Sequence, residues 1–124
     1  MNGLECVMVR AKKEPSPENI TRMITATFNV LAKAIKEHTD AKCDLLEAET
    51  HLEMLIADQW AAEEGVPGKN AEDRANWLKR HFRSEYDEIA NAKQVVHQTE
   101  SDYKIAKSKV RALELLEKVG NGAR

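Results

Sequence analysis

The sequence has few aromatic residues, glycines and prolines, and this scarcity excludes whole classes of fold. Aromatic residues make up 5% of the 124 residues, beside five glycines and three prolines. A β-sandwich or barrel needs a turn about every 8–12 residues, which so few turn-forming residues cannot supply. No apolar run approaches the ~18 residues of a membrane span. The sequence therefore predicts one all-α domain and no contact with a membrane.

Cysteine is scarce as well, and cysteine content is evidence for the cellular compartment in which a protein resides. Cys6 lies near the start and Cys43 lies inside a helical pattern. No apolar segment with a small-residue cleavage site precedes them, and two cysteines so placed do not indicate a disulfide framework. We therefore expect a cytoplasmic protein.

What the sequence does contain is typical of long helices. Charged residues make up 32% of the chain, with Ala, Leu, Glu and Lys in abundance. Residues 17–64 contain neither glycine nor an internal proline, Ser16 can cap their start, and Pro17 suits a first helical position. This predicts helix A over residues 17–64. Three poor helix formers adjoin at residues 38–40, where a break is an open alternative.

The end of helix A and the start of a second helix are also marked in the sequence. Two glycines and a proline fall within residues 65–70, which predicts the turn. Asn70 can then cap a new helix with Asp73 at its third position. Residues 71–119 contain neither glycine nor proline, and Gly120 follows them. We predict helix B over residues 71–119.

Two features of this division stay open at the level of sequence. Ser84, followed three residues later by Asp87, is a second possible cap, so helix B has a possible break near residues 83–84. Residues 1–15 form an N-terminal arm whose alternation fits an edge strand or a docked segment, with disorder as an equal alternative. The hairpin domain is thus predicted over residues 16–120, with a tail at 121–124.

Seven-residue repeats predict how the two helices meet. In helix A, one series is large and the series three residues later is mostly small. The large series comprises Ile24, Leu31, His38, Leu45, Leu52 and Gln59, and the small series comprises Thr27, Ala34, Ala41, Ala48 and Leu55. Helix B repeats the arrangement with Phe82, Ile89, Val96, Tyr103 and Val110 beside Ala92, Thr99, Ala106 and Leu113. Regularly spaced alanines let backbones approach closely, which predicts a long antiparallel, coiled-coil-like hairpin with an alanine-rich seam.

Apolar residues outside this seam are too numerous for one partner helix to cover. The candidate interface residues are Phe28, Ile35, Ile56, Ile105, Leu115 and Leu116, with Val30, Leu46, Met54 and Val95 also flanking the seam. We therefore expect self-association into a helical bundle, with a homodimer preferred, or docking on another protein.

Charge is segregated along the chain. Residues 43–66 hold seven acidic and no basic side chains, whereas residues 67–84 hold five basic and two acidic ones. The basic residues interleave with Trp77 and Phe82, which is the mixture that single-strand nucleic-acid binders use. The candidate nucleic-acid-binding residues are Lys69, Arg74, Trp77, Lys79, Arg80 and Arg83. We favour the alternative that these charges neutralise the acidic stretch across the hairpin, because a net charge of −2 gives no overall attraction to a polyanion.

No residue pattern predicts catalysis, a cofactor or a metal site. The four histidines lack the Glu-x-x-His spacing of di-iron bundles. His38 lies on the seam and could approach His97, but a histidine satisfied by a neighbour, or one that fixes the register, is the favoured interpretation. The sequence contains no nucleophile elbow, P-loop or dinucleotide fingerprint. We therefore expect a protein that is not an enzyme.

Residues from about 52 to 119 resemble small, uncharacterised helical-hairpin proteins of tailed phages and prophages. The shared features are a polar turn, Gly68-Lys69-Asn70 with Arg74, a short apolar segment, Trp77-Leu78, and an aromatic-led helix that opens at Tyr86. The genes of such proteins often lie near phage replication genes. The resemblance implies a setting in phage DNA metabolism and carries over no catalytic residues.

These observations lead to two functional hypotheses. The first is a non-enzymatic phage-type module that oligomerises and binds or inhibits a host or phage protein, for example a defence nuclease. The second is a single-strand nucleic-acid-binding accessory factor in phage replication or recombination.

Overall fold

The computed structural model describes residues 16–122, which fold as an all-α helical hairpin. Helix α1 spans Pro17–Ala61, α2 spans Ala71–His81 and α3 spans Arg83–Gly122, and the described residues contain no strand. The hairpin predicted from the heptads is confirmed. The predicted arm, residues 1–15, lies outside the described residues, as do residues 123–124 of the predicted tail.

Helix α1 begins where the sequence predicts and ends three residues early. The Ser16 hydroxyl accepts a hydrogen bond from the Asn19 amide at 3.2 Å, which is the predicted cap. Residues 38–40 are helical, so the possible break there does not occur. At the other end the amide of Gly65 donates to the carbonyl of Ala62 at 2.9 Å. Gly65 has φ 63°, and this left-handed residue stops the helix before residue 64.

The predicted helix B is two helices, and they meet at Phe82. The amide of Phe82 donates to the carbonyl of Leu78 at 2.9 Å, and the amide of Tyr86 donates to the carbonyl of Phe82 at 3.0 Å. Phe82 itself has φ −104° and ψ 33°, outside the helical range. The break thus falls one residue before the predicted 83–84, and Ser84 lies in the first turn of α3 without capping it.

Helix α3 continues past its predicted end at residue 119. It runs to Gly122, so Gly120 does not close it. Glycine within a helix costs only about 1 kcal/mol relative to alanine, and the stability of the adjacent helical turns can offset this cost. The prediction was wrong here because one glycine without a proline is a weak stop.

The chain forms two compact units, each with its own packing. We call residues 16–38 with 99–122 the terminal unit and Thr39–Gln98 the turn unit. In the terminal unit, Met23 and Leu113 are each 2% exposed and pack together with Ile24. Among the described residues, no helix is both long and apolar enough to cross a membrane.

In the turn unit, a cluster of side chains from all three helices and the loop forms the core. Its buried members are Leu52, Val66, Leu78 and Phe82, with Leu55, Ile56, Trp77, Tyr86 and Ile89 packed against them. Val66 brings the loop into this core. The single-residue interruption at Phe82 lets its ring join residues of α1 and α2.

The alanine-rich seam predicted from the heptads is present. Its most buried small residues are Thr27, Ala34, Ala41, Thr99 and Ala106, which are 1–9% exposed. Thr27 stays satisfied because its hydroxyl donates to the Met23 carbonyl at 2.7 Å. Every seam residue named above is buried or half-buried.

The seam leads to a first testable prediction. Ala106 is 3% exposed, so replacing it by leucine is expected to lower the free energy of unfolding by about 1–3 kcal/mol through overpacking. Urea denaturation at one fixed protein concentration measures this. Ala90 is exposed, and Ala90→Leu should change the stability by less than about 0.5 kcal/mol. Equal effects at both positions would contradict the close-contact seam.

Candidate interaction surfaces

The loop between α1 and α2 has a defined conformation that positions the basic residues beside it. Gly68 has φ 150°, a region that favours glycine, and a Cβ atom there would lie 2.7 Å from the Arg74 amide nitrogen. The Asn70 side chain accepts a hydrogen bond from the Asp73 amide at 2.8 Å, which confirms the predicted cap. The Gln59 side chain donates to the Gly65 carbonyl at 2.8 Å and ties the loop to α1.

A concavity of about 410 Å³ lies between this loop and one face of α2. Its lining combines two cations with a ring, a carboxylate and an amide. The lining side chains come from Lys69, Asp73, Asn76, Trp77 and Arg80, next to Pro67 and Gly68. The arrangement can hold an anionic group between the cations.

Not all of the predicted nucleic-acid-binding residues are available. The Arg74 guanidinium donates to the Gly68 carbonyl at 3.4 Å, so it stabilises the loop. Trp77 is half-buried and stacks on His81, with ring centroids 4.4 Å apart. Phe82 is 9% exposed, which agrees with its predicted place in the seam, and its ring is therefore not available to stack on a base. Of the remaining residues, Lys69, Lys79, Arg80 and Arg83 are exposed.

The expected neutralisation of these charges by the acidic stretch is not seen as ion pairs. Within residues 16–122, none of the five basic residues of this segment forms an ion pair with a carboxylate. The ion pairs Lys33–Glu37 at 3.8 Å and Lys104–Glu100 at 3.3 Å each lie within one helix. The cations beside the loop are therefore open to a ligand.

His38 is a polar residue of the seam with local partners. Its Nδ1 lies 3.0 Å from the Thr99 hydroxyl, and its ring is stacked near Tyr103 with centroids 6.2 Å apart. The prediction of a histidine satisfied by a neighbour is confirmed. Within residues 16–122, no three His, Cys, Asp or Glu residues are grouped so that they could hold a metal ion.

The second candidate surface is apolar. Five of the six predicted interface residues are 44–58% exposed: Phe28, Ile35, Ile105, Leu115 and Leu116. Ile56 is the exception, because it is half-buried against the core of the turn unit and is not left uncovered as predicted. The flanking residues Val30, Leu46, Met54 and Val95 are 43–66% exposed.

Two further exposed apolar residues were missed at the level of sequence. Trp60 is 52% exposed and Val119 is 70% exposed. Trp60 follows Leu46 by 14 residues and Val119 follows Ile105 by 14, so each pair shares one face of its helix. Two-heptad spacing was the signal that could have found them.

A scan against models of protein families, a search of curated proteins and a search of solved structures each gave no match to this chain.

Proposed function

We propose that this chain is a non-enzymatic protein-binding module that self-associates, preferably as a homodimer, and presents a surface to a further protein. The proposed setting is the cytoplasm of a host cell, as the low cysteine content and the resemblance to phage proteins favour. Phage origin is part of the proposal.

The observation that carries this proposal is the amount of exposed apolar surface. Eleven large hydrophobic residues within the described chain are between 43% and 70% exposed. Soluble monomers rarely expose large contiguous apolar patches, and burial yields roughly 25 cal/mol per Å². Association with a second apolar surface would remove these side chains from water.

Sedimentation equilibrium tests the proposal directly. We expect a species of twice the 14.0 kDa chain mass at micromolar concentration. A single 14.0 kDa species across that range would contradict self-association.

The variant Phe28→Lys tests whether a further partner, of host or phage origin, binds at the exposed Phe28 and Ile35 on α1. We expect this variant to capture less of that partner from host lysate than the wild-type chain does, while it still dimerises.

A second candidate function is single-strand nucleic-acid binding at the loop. The observation that favours it is the concavity that brings Lys69, Trp77 and Arg80 together with no ion pair to occupy the cations. The observation against it is charge, since residues 39–98 hold 13 acidic and seven basic side chains. Long-range repulsion of a polyanion from the turn unit makes this the second choice.

This second function predicts a salt-dependent affinity. If the loop binds phosphates, the variant Lys69→Ala/Arg80→Ala should lower the slope of log affinity against log salt by about 1.4, because each phosphate contact with a single strand contributes about 0.7. Fluorescence anisotropy of a labelled single-stranded oligonucleotide measures it. Lys93→Ala, on α3, serves as the matched control. An unchanged slope in the double variant would exclude the loop as the binding site.

A further inference from the structure

Helix α3 carries a second heptad stripe on the side opposite the seam. Positions spaced by three and four residues make up this stripe, which we call the α3 outer face: Ile105, Ser108, Ala112, Leu115 and Val119. The three large members are 52–70% exposed, and Leu116 beside them is 47% exposed. The stripe has the apolar spacing of a coiled-coil seam but lies uncovered in the described residues.

The middle of the α3 outer face is a groove. A concavity of about 420 Å³, lined mainly by apolar surface, lies along Ile105, Ser108 and Ala112 between the stems of Lys104 and Lys109. It exists because two small residues, Ser108 and Ala112, stand between larger ones. Such a hole accommodates a large side chain from a facing helix.

Basic residues border the α3 outer face. Lys104, Arg111 and Lys118 recur every seven residues along one edge, and Lys109 lies on the other. Residues 104–119 hold five basic and two acidic side chains, a net charge of +3. Lys104 pairs with Glu100 of its own helix, but both side chains are largely exposed, and such pairs contribute little.

Helix α1 carries an apolar face of the same length and the opposite charge. It consists of Leu46, Thr50, Met54, Ala57 and Trp60, which we call the α1 outer face. Its large members are 52–66% exposed. Residues 45–60 hold four acidic and no basic side chains, a net charge of −4. Both this segment and residues 104–119 contain 16 residues, about 24 Å of helix.

We propose that the α3 outer face of one copy binds the α1 outer face of a second copy. This rests on the self-association proposed above and names the surfaces that make it. Opposite net charges favour this pairing, whereas two α3 outer faces or two α1 outer faces would each bring like charges together.

Trp60 is the side chain that fits the groove. It is the largest residue of the α1 outer face and is 52% exposed. Tryptophan is enriched among the residues that dominate binding energy at interfaces. In the proposed contact, Trp60 of the second copy fills the hole over Ser108 and Ala112.

Reciprocal charge reversal tests the pairing. One variant, Lys104→Glu/Arg111→Glu/Lys118→Glu, changes the net charge of residues 104–119 from +3 to −3, and the other, Glu47→Lys/Glu49→Lys/Glu53→Lys, changes that of residues 45–60 from −4 to +2. All six positions are exposed, so both variants should fold with wild-type circular dichroism. Each variant alone is expected to raise the dimer dissociation constant about tenfold or more in low salt, because like charges then face each other.

An equimolar mixture of the two variants is the decisive sample. In it, the acidic α3 outer face of one variant meets the basic α1 outer face of the other, so a heterodimer of near wild-type affinity is expected. A chain carrying all six substitutions should dimerise as well. Trp60→Ala should weaken the wild-type dimer, whereas the matched reversal Lys36→Glu/Lys79→Glu/Lys93→Glu, at exposed positions away from both faces, should not.

The outcomes separate this inference from the proposed function. A wild-type chain that stays monomeric in sedimentation overturns both. The pairing of faces is overturned if either reversal variant alone dimerises with the wild-type dissociation constant, or if the mixture of the two variants does not regain it. Self-association itself would still stand in both cases.

Discussion

Replacing Phe82 by alanine is expected to lower the free energy of unfolding by about 3–5 kcal/mol. The ring is 9% exposed and belongs to the cluster with Leu52, Val66 and Leu78. Alanine keeps the backbone hydrogen bond from residue 82 to the Leu78 carbonyl, so the loss comes from the cavity and from lost apolar burial. Urea denaturation at a fixed protein concentration measures the change.

The chain offers a matched control for this substitution. Phe28 is 44% exposed, so Phe28→Ala removes the same atoms from a position that water already reaches. We expect a cost of about 1 kcal/mol or less, since only part of the transfer energy is lost. Similar costs at positions 28 and 82 would show that the cluster beside the loop is not a core.

The second large effect is expected at Leu113. This residue is 2% exposed against Met23, and Leu113→Ala should cost about 2–5 kcal/mol. Because the contact joins both segments of the terminal unit, hydrogen exchange should accelerate most at amides of residues 16–38 and 99–122. Native-state hydrogen exchange with residue-level detection measures both the size and the location of the effect.

Leu115→Ala provides the comparison for this prediction. Leu115 lies two residues further along α3 but is 58% exposed. Its replacement should leave exchange from the monomer nearly unchanged, when measured below the concentration at which the chain associates. If Leu115→Ala speeds exchange as much as Leu113→Ala, the assignment of the buried face of α3 is wrong.

The local features of the fold could be predicted from the sequence because short-range chemistry decides them. A hydroxyl at Ser16 and an amide at Asn70 satisfy the first amides of their helices, and both caps are present. The seam could be predicted as well, since large and small residues recur every seven positions. Gly120 shows the limit of such signals, because one glycine does not stop a helix that its neighbours continue.

The candidate surfaces were predicted less completely, because exposure depends on what packs nearby. Ile56 looked uncovered in the heptad pattern of α1, but it packs against the buried cluster that contains Leu78 and Phe82. Phe82 belonged both to the seam series and to the basic segment with stacking rings, and its burial at 9% exposure agrees with the seam and excludes base stacking. The burial of Ile56 does not follow from the periodicity of α1, because it depends on residues distant in sequence that pack nearby.

The sequence by itself determined the helices, their caps and the seam, because hydrogen-bond satisfaction at helix ends and the 3.6-residue period act over a few residues. Only the tertiary structure decided which polar side chains find partners and which apolar side chains stay exposed. It brought His38 to the hydroxyl of Thr99, 61 residues away, and formed the concavity of Lys69, Trp77 and Arg80 without ion pairs. It also left the outer faces of α1 and α3 exposed. The physical reason is that burial is a property of neighbours distant in sequence, which the packing of three helices and a loop selects.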